Sequence, residues 1–212
     1  MDINNYFNTT IWSEQKPDFI KSLTKASNKY IKNARNVPEA KAHVKKFGDF
    51  GRSYHSTNLI ADNNFRDFRD YIIQKSWEYL DQQGFDMSQY ATVLSEMWVQ
   101  EFAKKGGGHH SAHVHWNQHV CGFYFLEASD KTSFPVFHEP RTGARSTKLK
   151  MKTNIKEILN GNELVHFRPQ PGTLIIFPGF LEHEFSIDYG VEPFRFIHWN
   201  IQAIPKEMVK DV

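Results

Sequence analysis

The spacing of apolar residues changes character once along the chain. Phe65, Phe68, Tyr71, Ile72, Trp77 and Leu80 recur at roughly helical intervals between the capping candidates Asp62-Asn63-Asn64 and Gly84. This predicts a long amphipathic helix that ends at the glycine and lays its aromatic stripe on a sheet. Pro38, followed by the helix formers Glu39 to Lys46, predicts a second and weaker helix. The remainder of residues 1–60 reads as a mixed lead-in. From residue 91 the apolar residues fall into short runs bounded by Gly, Pro and polar breaks. Strands are predicted within 93–102, in two pieces of 113–126 split by Asn117-Gln118, and within 133–137, 163–167, 173–178, 184–187 and 194–203. Gly106-Gly107-Gly108 and Pro140-Arg141-Thr142-Gly143 mark loops, and 144–163 reads as a polar insertion near a barrel mouth. Many short strands with turns between them favour a sandwich or barrel.

Length and composition narrow this picture. At 212 residues the chain suits one domain, with a helical or mixed support region (1–90), a strand-rich core (91–205) and a tail (206–212). Aromatics make up 15% of the chain, including 18 Phe, as expected of a β-rich core with a lined pocket. A net charge of +2, from 26 basic and 24 acidic residues, gives no case for nucleic acid or a membrane surface. The single cysteine, Cys121, excludes an internal disulfide and suits a reducing compartment. No apolar run approaches 18 residues, and no basic-then-apolar leader opens the chain. The expectation is a soluble, cytoplasmic, unprocessed protein.

The chemistry concentrates in the histidines. Five of the eleven lie between positions 109 and 119. Residues i and i+2 of a strand point to one face, so His113 and His115 can address one point. A third imidazole, His183, closes the segment Phe180-Leu181-Glu182-His183, and Arg195 follows twelve residues on. Three such donors would form one face of a metal and leave other positions open. His109 and His110, beside three glycines, read as exposed loop residues. His119 shares parity with His115, but the polar break between them leaves its direction open. Arg195 stands between Phe194 and Phe196, so alternation sets it on the face opposite both. Its plain reading is a surface salt bridge. If its face lines a closed barrel, the charge needs a partner, and a bound dicarboxylate is one.

Trp98 to Leu126, then Pro171-Gly172-Thr173-Leu174-Ile175-Ile176-Phe177-Pro178, then His183 and Arg195 to Asn200, resemble the iron(II)- and 2-oxoglutarate-dependent oxygenases. They resemble particularly the bacterial and phage branch with His-x-His ahead of a Gly-x-Tyr-x-Leu-like strand, which is similar to prolyl hydroxylases. The resemblance covers roughly residues 60 to 205. It implies a mainly β protein with N-terminal helices, built as a double-stranded β-helix of the jelly-roll, cupin-like kind. It further implies an enzyme that uses Fe(II), 2-oxoglutarate and O2 to hydroxylate a C–H bond, releasing succinate and CO2. Carried over residue by residue, it makes His113, His115 and His183 the metal ligands and Arg195 the anchor of the cosubstrate's far carboxylate. Tyr124 becomes a pocket hydroxyl, and Ser186 a stand-in for the family hydroxyl that follows the arginine. The substrate implied is a protein or peptide side chain, such as proline, or a small molecule.

This chain departs from the family at His115, where most members carry Asp or Glu. Three neutral imidazoles leave the ion at its full +2 charge. Glu96 or Glu184 is the alternative source of a carboxylate ligand. Two other functions remain open on the sequence: a three-histidine, cupin-like dioxygenase without 2-oxoglutarate, and a non-catalytic metal-binding jelly-roll module.

Overall fold

The structure, a computed structural model, describes residues 2, 4, 6–146, 149–152 and 157–209. The two pieces 147–148 and 153–156 of the expected 144–163 insertion lie outside the described residues. Ten strands are described: β1 (Trp12–Gln15), β2 (Ser53–His55), β3 (Tyr90–Phe102), β4 (His110–His113), β5 (Val120–Glu127), β6 (Pro135–His138), β7 (Leu164–His166), β8 (Thr173–Pro178), β9 (His183–Phe185) and β10 (Arg195–Pro205). They form a six-stranded sheet in the order β1-β8-β5-β10-β3-β2 and a four-stranded sheet in the order β4-β9-β6-β7. Every pairing described is antiparallel. This is the expected double-stranded β-helix.

Four helices accompany the strands: α1 (Ile20–Asn36), α2 (Pro38–Phe47), α3 (Arg66–Gln82) and the short α4 (Thr142–Ser146). The expected helix before Gly84 is α3, entered through a 3-10 turn capped by Asp62, whose side chain accepts from the Asn64 amide. The expected proline-led helix is α2. The lead-in is more ordered than its sequence suggested. Pro17 opens a turn into the 17-residue α1, which buries Leu23, Ser27 and Ile31 at i, i+4 and i+8. β1 and β2 then form the two edge strands of the large sheet, short strands that pair with β8 and β3 and satisfy the outer backbone groups of those two.

The large sheet separates two cores by strict alternation. Val99, Val120, Tyr124, Leu126, Leu174, Ile176, Ile197 and Trp199 face α1 and α3. Phe102, Cys121, Phe123, Phe125, Ile175, Phe177 and Phe196 face the small sheet and meet Phe137 and Phe185 from it. Gly122 permits the tightest contact on the helix side. A Cβ there would lie 2.1 Å from the Trp199 ring.

Candidate metal centre

The candidate centre lies between the two sheets, where β4 and β9 pair and place His113 opposite His183. The histidines at 113 and 115 do not both sit on a strand as their spacing predicted. β4 ends at His113, and the chain leaves it through a turn in which Asn117 adopts a positive φ of 59°. His115 is tied instead to the loop before β9, its amide donating to the Gly179 carbonyl at 3.0 Å. A Cβ at Gly179 would lie 2.2 Å from the Gln118 carbonyl oxygen, so only glycine allows this approach. The rings nevertheless converge. One ligand atom from each of His113, His115 and His183 lies within 4.8 Å of the others. Three nitrogens on one face of an ion at about 2.0–2.1 Å stand roughly 3 Å apart, so closing on an ion takes an inward shift of up to about 1 Å from each ring.

Backbone carbonyls set the tautomers of two of these rings. His183 Nδ1 lies 2.9 Å from the Leu181 carbonyl and His113 Nδ1 lies 2.7 Å from the Ser111 carbonyl. A carbonyl only accepts, so each Nδ1 carries the proton and each Nε2 presents a bare lone pair. His115 Nε2 is buried with no hydrogen-bond partner among the described residues. Burial pulls His183 down to about 3, and burial with the neighbouring His113 pulls His115 to about 4. All of this suits a cation: neutral imidazoles, oriented by outer carbonyls, with lone pairs turned to one point. Phe123, Phe137 and Phe177 surround His183 and keep water from its inner side.

The alternative carboxylates stand elsewhere. Glu96 accepts from Asn200 Nδ2 at 2.8 Å, and Glu184 alternates away from His183 toward His138. His110, expected in an exposed loop, has its ring 4.3 Å from that of His113. His119 turns away, its Nδ1 accepting from the Ala203 amide.

Three expected cosubstrate residues do not reach the histidines. Arg195 lies on the helix-facing side of β10 and is 9% exposed. Its Nε donates to Glu101 at 2.7 Å, its Nη2 also contacts that carboxylate, and its Nη1 donates to Asn28 at 2.7 Å. Glu101 holds Arg35 with its other oxygen at 2.6 Å, so one buried carboxylate joins two guanidinium groups. Tyr124 shares the helix-facing side of β5, packs on Phe19 and Phe68, and donates to the Lys16 carbonyl. Ser186 is one residue past β9, out of phase with His183, beside Ser133 and the Phe134 amide. In each case strand alternation sends the side chain to the wrong face.

What the sequence reading missed is the barrel-facing side of β10. His198 is paired with Trp98 of β3 and Phe123 of β5, and is 1% exposed. Its ring stacks 4.6 Å from His115 and packs 4.3 Å from Trp98. The alternation of Phe194 to Ile201 already placed His198 with Phe196 rather than with Arg195. Beside Trp98, Gln100 donates to Ser53 and His55 packs on the indole, which makes a neutral polar patch next to the histidines.

Comparison with known proteins agrees with this geometry. Residues 96–193 match the family model described as "Putative 2OG-Fe(II) oxygenase". The comparison with curated proteins returned no match. Among solved structures, the chain is similar to a Pseudomonas putida prolyl-4-hydroxylase (TM-score 0.55, 11% identity, covering 92% of this chain and 93% of that one). It is also similar to the viral collagen prolyl hydroxylase of Paramecium Bursaria Chlorella virus-1 (0.53, 12%, 91% and 96%). A third is the non-heme alpha ketoglutarate dependent epimerase SnoN from nogalamycin biosynthesis (0.56, 10%, 93% and 80%). At such identities these likenesses establish the fold. The family match covers the strands that carry the histidines, so over residues 96–193 the chain is similar to the 2OG-Fe(II) oxygenases.

Proposed function

We propose that this protein is an Fe(II)- and 2-oxoglutarate-dependent dioxygenase in which His113, His115 and His183 hold the iron. The observation that carries the assignment is the convergence of their three ligand atoms within 4.8 Å. When bound, iron(II) with 2-oxoglutarate and O2 supplies an oxidative decarboxylation, to succinate and CO2, coupled to hydroxylation of a substrate C–H bond. The chain binds, orients and shields. The Ser111 and Leu181 carbonyls hold His113 and His183 with Nε2 turned inward. Three uncharged ligands leave the ion's +2 charge intact, which strengthens its hold on an anionic cosubstrate. Arg195 is spent on Glu101, so the far carboxylate falls to the neutral donors of Trp98 and Gln100, where it would displace the weaker contacts they make with Gln100 Oε1 and Ser53. The substrate read from the named activities of the neighbours is a peptide side chain, with proline the first to try, or a small molecule of similar reach.

The test is iron and 2-oxoglutarate binding without oxygen, followed by succinate release when oxygen is admitted. The wild type should bind one iron and release succinate. His183→Ala and His113→Ala should do neither, while His109→Ala should do both. His115→Ala should bind iron weakly, and His115→Asp should regain part of it, because a carboxylate suits iron(II). Iron binding with no response to 2-oxoglutarate would instead support a three-histidine dioxygenase. Zinc binding with no turnover would support a binding module.

A further inference from the structure

Behind the outer face of histidines lies a second set of donors. His115, Cys121 and His198 each offer one ligand atom, and these lie within 4.8 Å of one another. Cys121 is a free thiol on the barrel-facing side of β5 and is fully buried. His198 is held by a short relay. The Glu96 carboxylate only accepts, so the edge of Asn200 that faces it is Nδ2, at 2.8 Å. Asn200 Oδ1 then faces His198 Nε2 at 2.9 Å and takes its proton as a hydrogen bond. That leaves Nδ1 of a neutral, fully buried imidazole as a bare lone pair, and it has no partner among the described residues. The nearby His115 Nε2 is likewise buried and unpartnered. A buried polar nitrogen left unsatisfied costs about 1–3 kcal/mol, so two on stacked neighbouring rings call for an occupant. A carboxylate acting through a hydrogen bond to set the tautomer and angle of a histidine is the usual outer support of a metal ligand. The indole of Trp98, 4.3 Å away, holds the His198 ring against rotation.

We propose that His115, Cys121 and His198 form an inner metal position that takes a soft or borderline ion, Zn(II) or Cu(I), in preference to Fe(II). Thiolate with imidazole is the donor set such ions favour, and zinc and copper bind nitrogen–sulfur sites more tightly than iron(II) does. On binding, the metal displaces the thiol proton to solvent, and the thiolate offsets one unit of the ion's charge. The inference rests on the proposed function at one point only, His115, which both positions need. Filling the inner position therefore removes one of three ligands from the outer face, so zinc acts as an antagonist of iron loading.

The experiment uses the full-length apo protein under anaerobic conditions with Co(II) as the probe. Thiolate ligation of cobalt gives an intense near-ultraviolet sulfur-to-metal charge-transfer band, which a site made only of imidazoles lacks. The band should appear in the wild type and persist in His113→Ala, in which the outer face is broken. Cys121→Ser and His198→Ala should abolish it, and one equivalent of Zn(II) should bleach it. Prior addition of one equivalent of Zn(II) should block iron uptake by the wild type. In Cys121→Ser, a conservative change, blocking should need at least tenfold more zinc. Absence of succinate release with the band intact would count against the oxygenase reading and leave the inner site standing. Cobalt bound by the wild type without the band, or equal zinc sensitivity in Cys121→Ser, overturns the inner site.

Discussion

The two faces of β10 carry opposite chemistry within a few ångströms. Toward the helices stand Arg195, Ile197 and Trp199, where a charge is admitted because Glu101, with Glu127 at 3.4 Å, neutralises it and Asn28 accepts from it. Toward the barrel stand Phe196, His198 and Asn200, where the polar groups are uncharged and His198 keeps a lone pair free. On the helix side the charged donors of Arg195 are consumed by neighbours, which is the mark of a structural cluster. On the barrel side the N–H groups are spent on orienting the rings, while the His198 Nδ1 lone pair is left over, which is the mark of a site awaiting a ligand. An arginine near metal-ligand candidates in sequence is thus not a binding residue unless its strand parity agrees.

The largest effect expected from testing this contrast is at Glu101. Removing the carboxylate from between Arg35 and Arg195 strips the buried Arg195 of its closest counter-charge, leaving it Glu127 at 3.4 Å and leaving the half-buried Arg35 to Asp49. Glu101→Ala should cost about 3–5 kcal/mol in urea unfolding while iron bound per folded molecule stays unchanged. A cost below about 1 kcal/mol would break the structural reading of that face. Next comes acidification of the metal-free protein. Burial depresses His115, His183 and His198 in the folded state. The unfolded chain therefore binds more protons below its ordinary histidine pKa, and stability falls as pH drops from about 6.5 toward about 4. Each of the three should contribute up to about 1.4 kcal/mol per pH unit in that window. A melting temperature flat between pH 6.5 and 5 would mean that these rings are not neutral and enclosed. Gly122→Ala should cost about 1–3 kcal/mol by pushing a methyl into Trp199, again on the helix side and without loss of metal. The smallest effect sharpens the comparison most. In folded Arg195→Ala, 2-oxoglutarate affinity measured by calorimetry should stay within about twofold of wild type, whereas Gln100→Ala should weaken it several-fold. A tenfold loss in Arg195→Ala would return the arginine to the cosubstrate.

Much of the strand order was legible because alternation and turn residues are local. The segment 173–178 became β8 without change, and Gly84 lies just past the end of α3. α1 was missed although Leu23, Ser27 and Ile31 carry its period, because lysines and asparagines crowd the stripe. His113 and His183 could be singled out from spacing and resemblance. His115 reached the same point by another route than strand geometry, a turn pinned to Gly179.

The sequence by itself determined the fold class, the periods of its elements and which residue types could bind a metal, since these follow from chain geometry and side-chain chemistry. Only the tertiary structure decided which face of each strand looks inward. A one-residue change of phase exchanges Arg195 for Phe196 at the barrel wall, and the register of β10 against β3 and β5 settles that phase. The same register brought His198 beside His115 and Cys121 and set Glu96 of β3 against Asn200 of β10, contacts between residues too distant in sequence for any local pattern to join, while the Asn200–His198 step is a local i, i+2 pair.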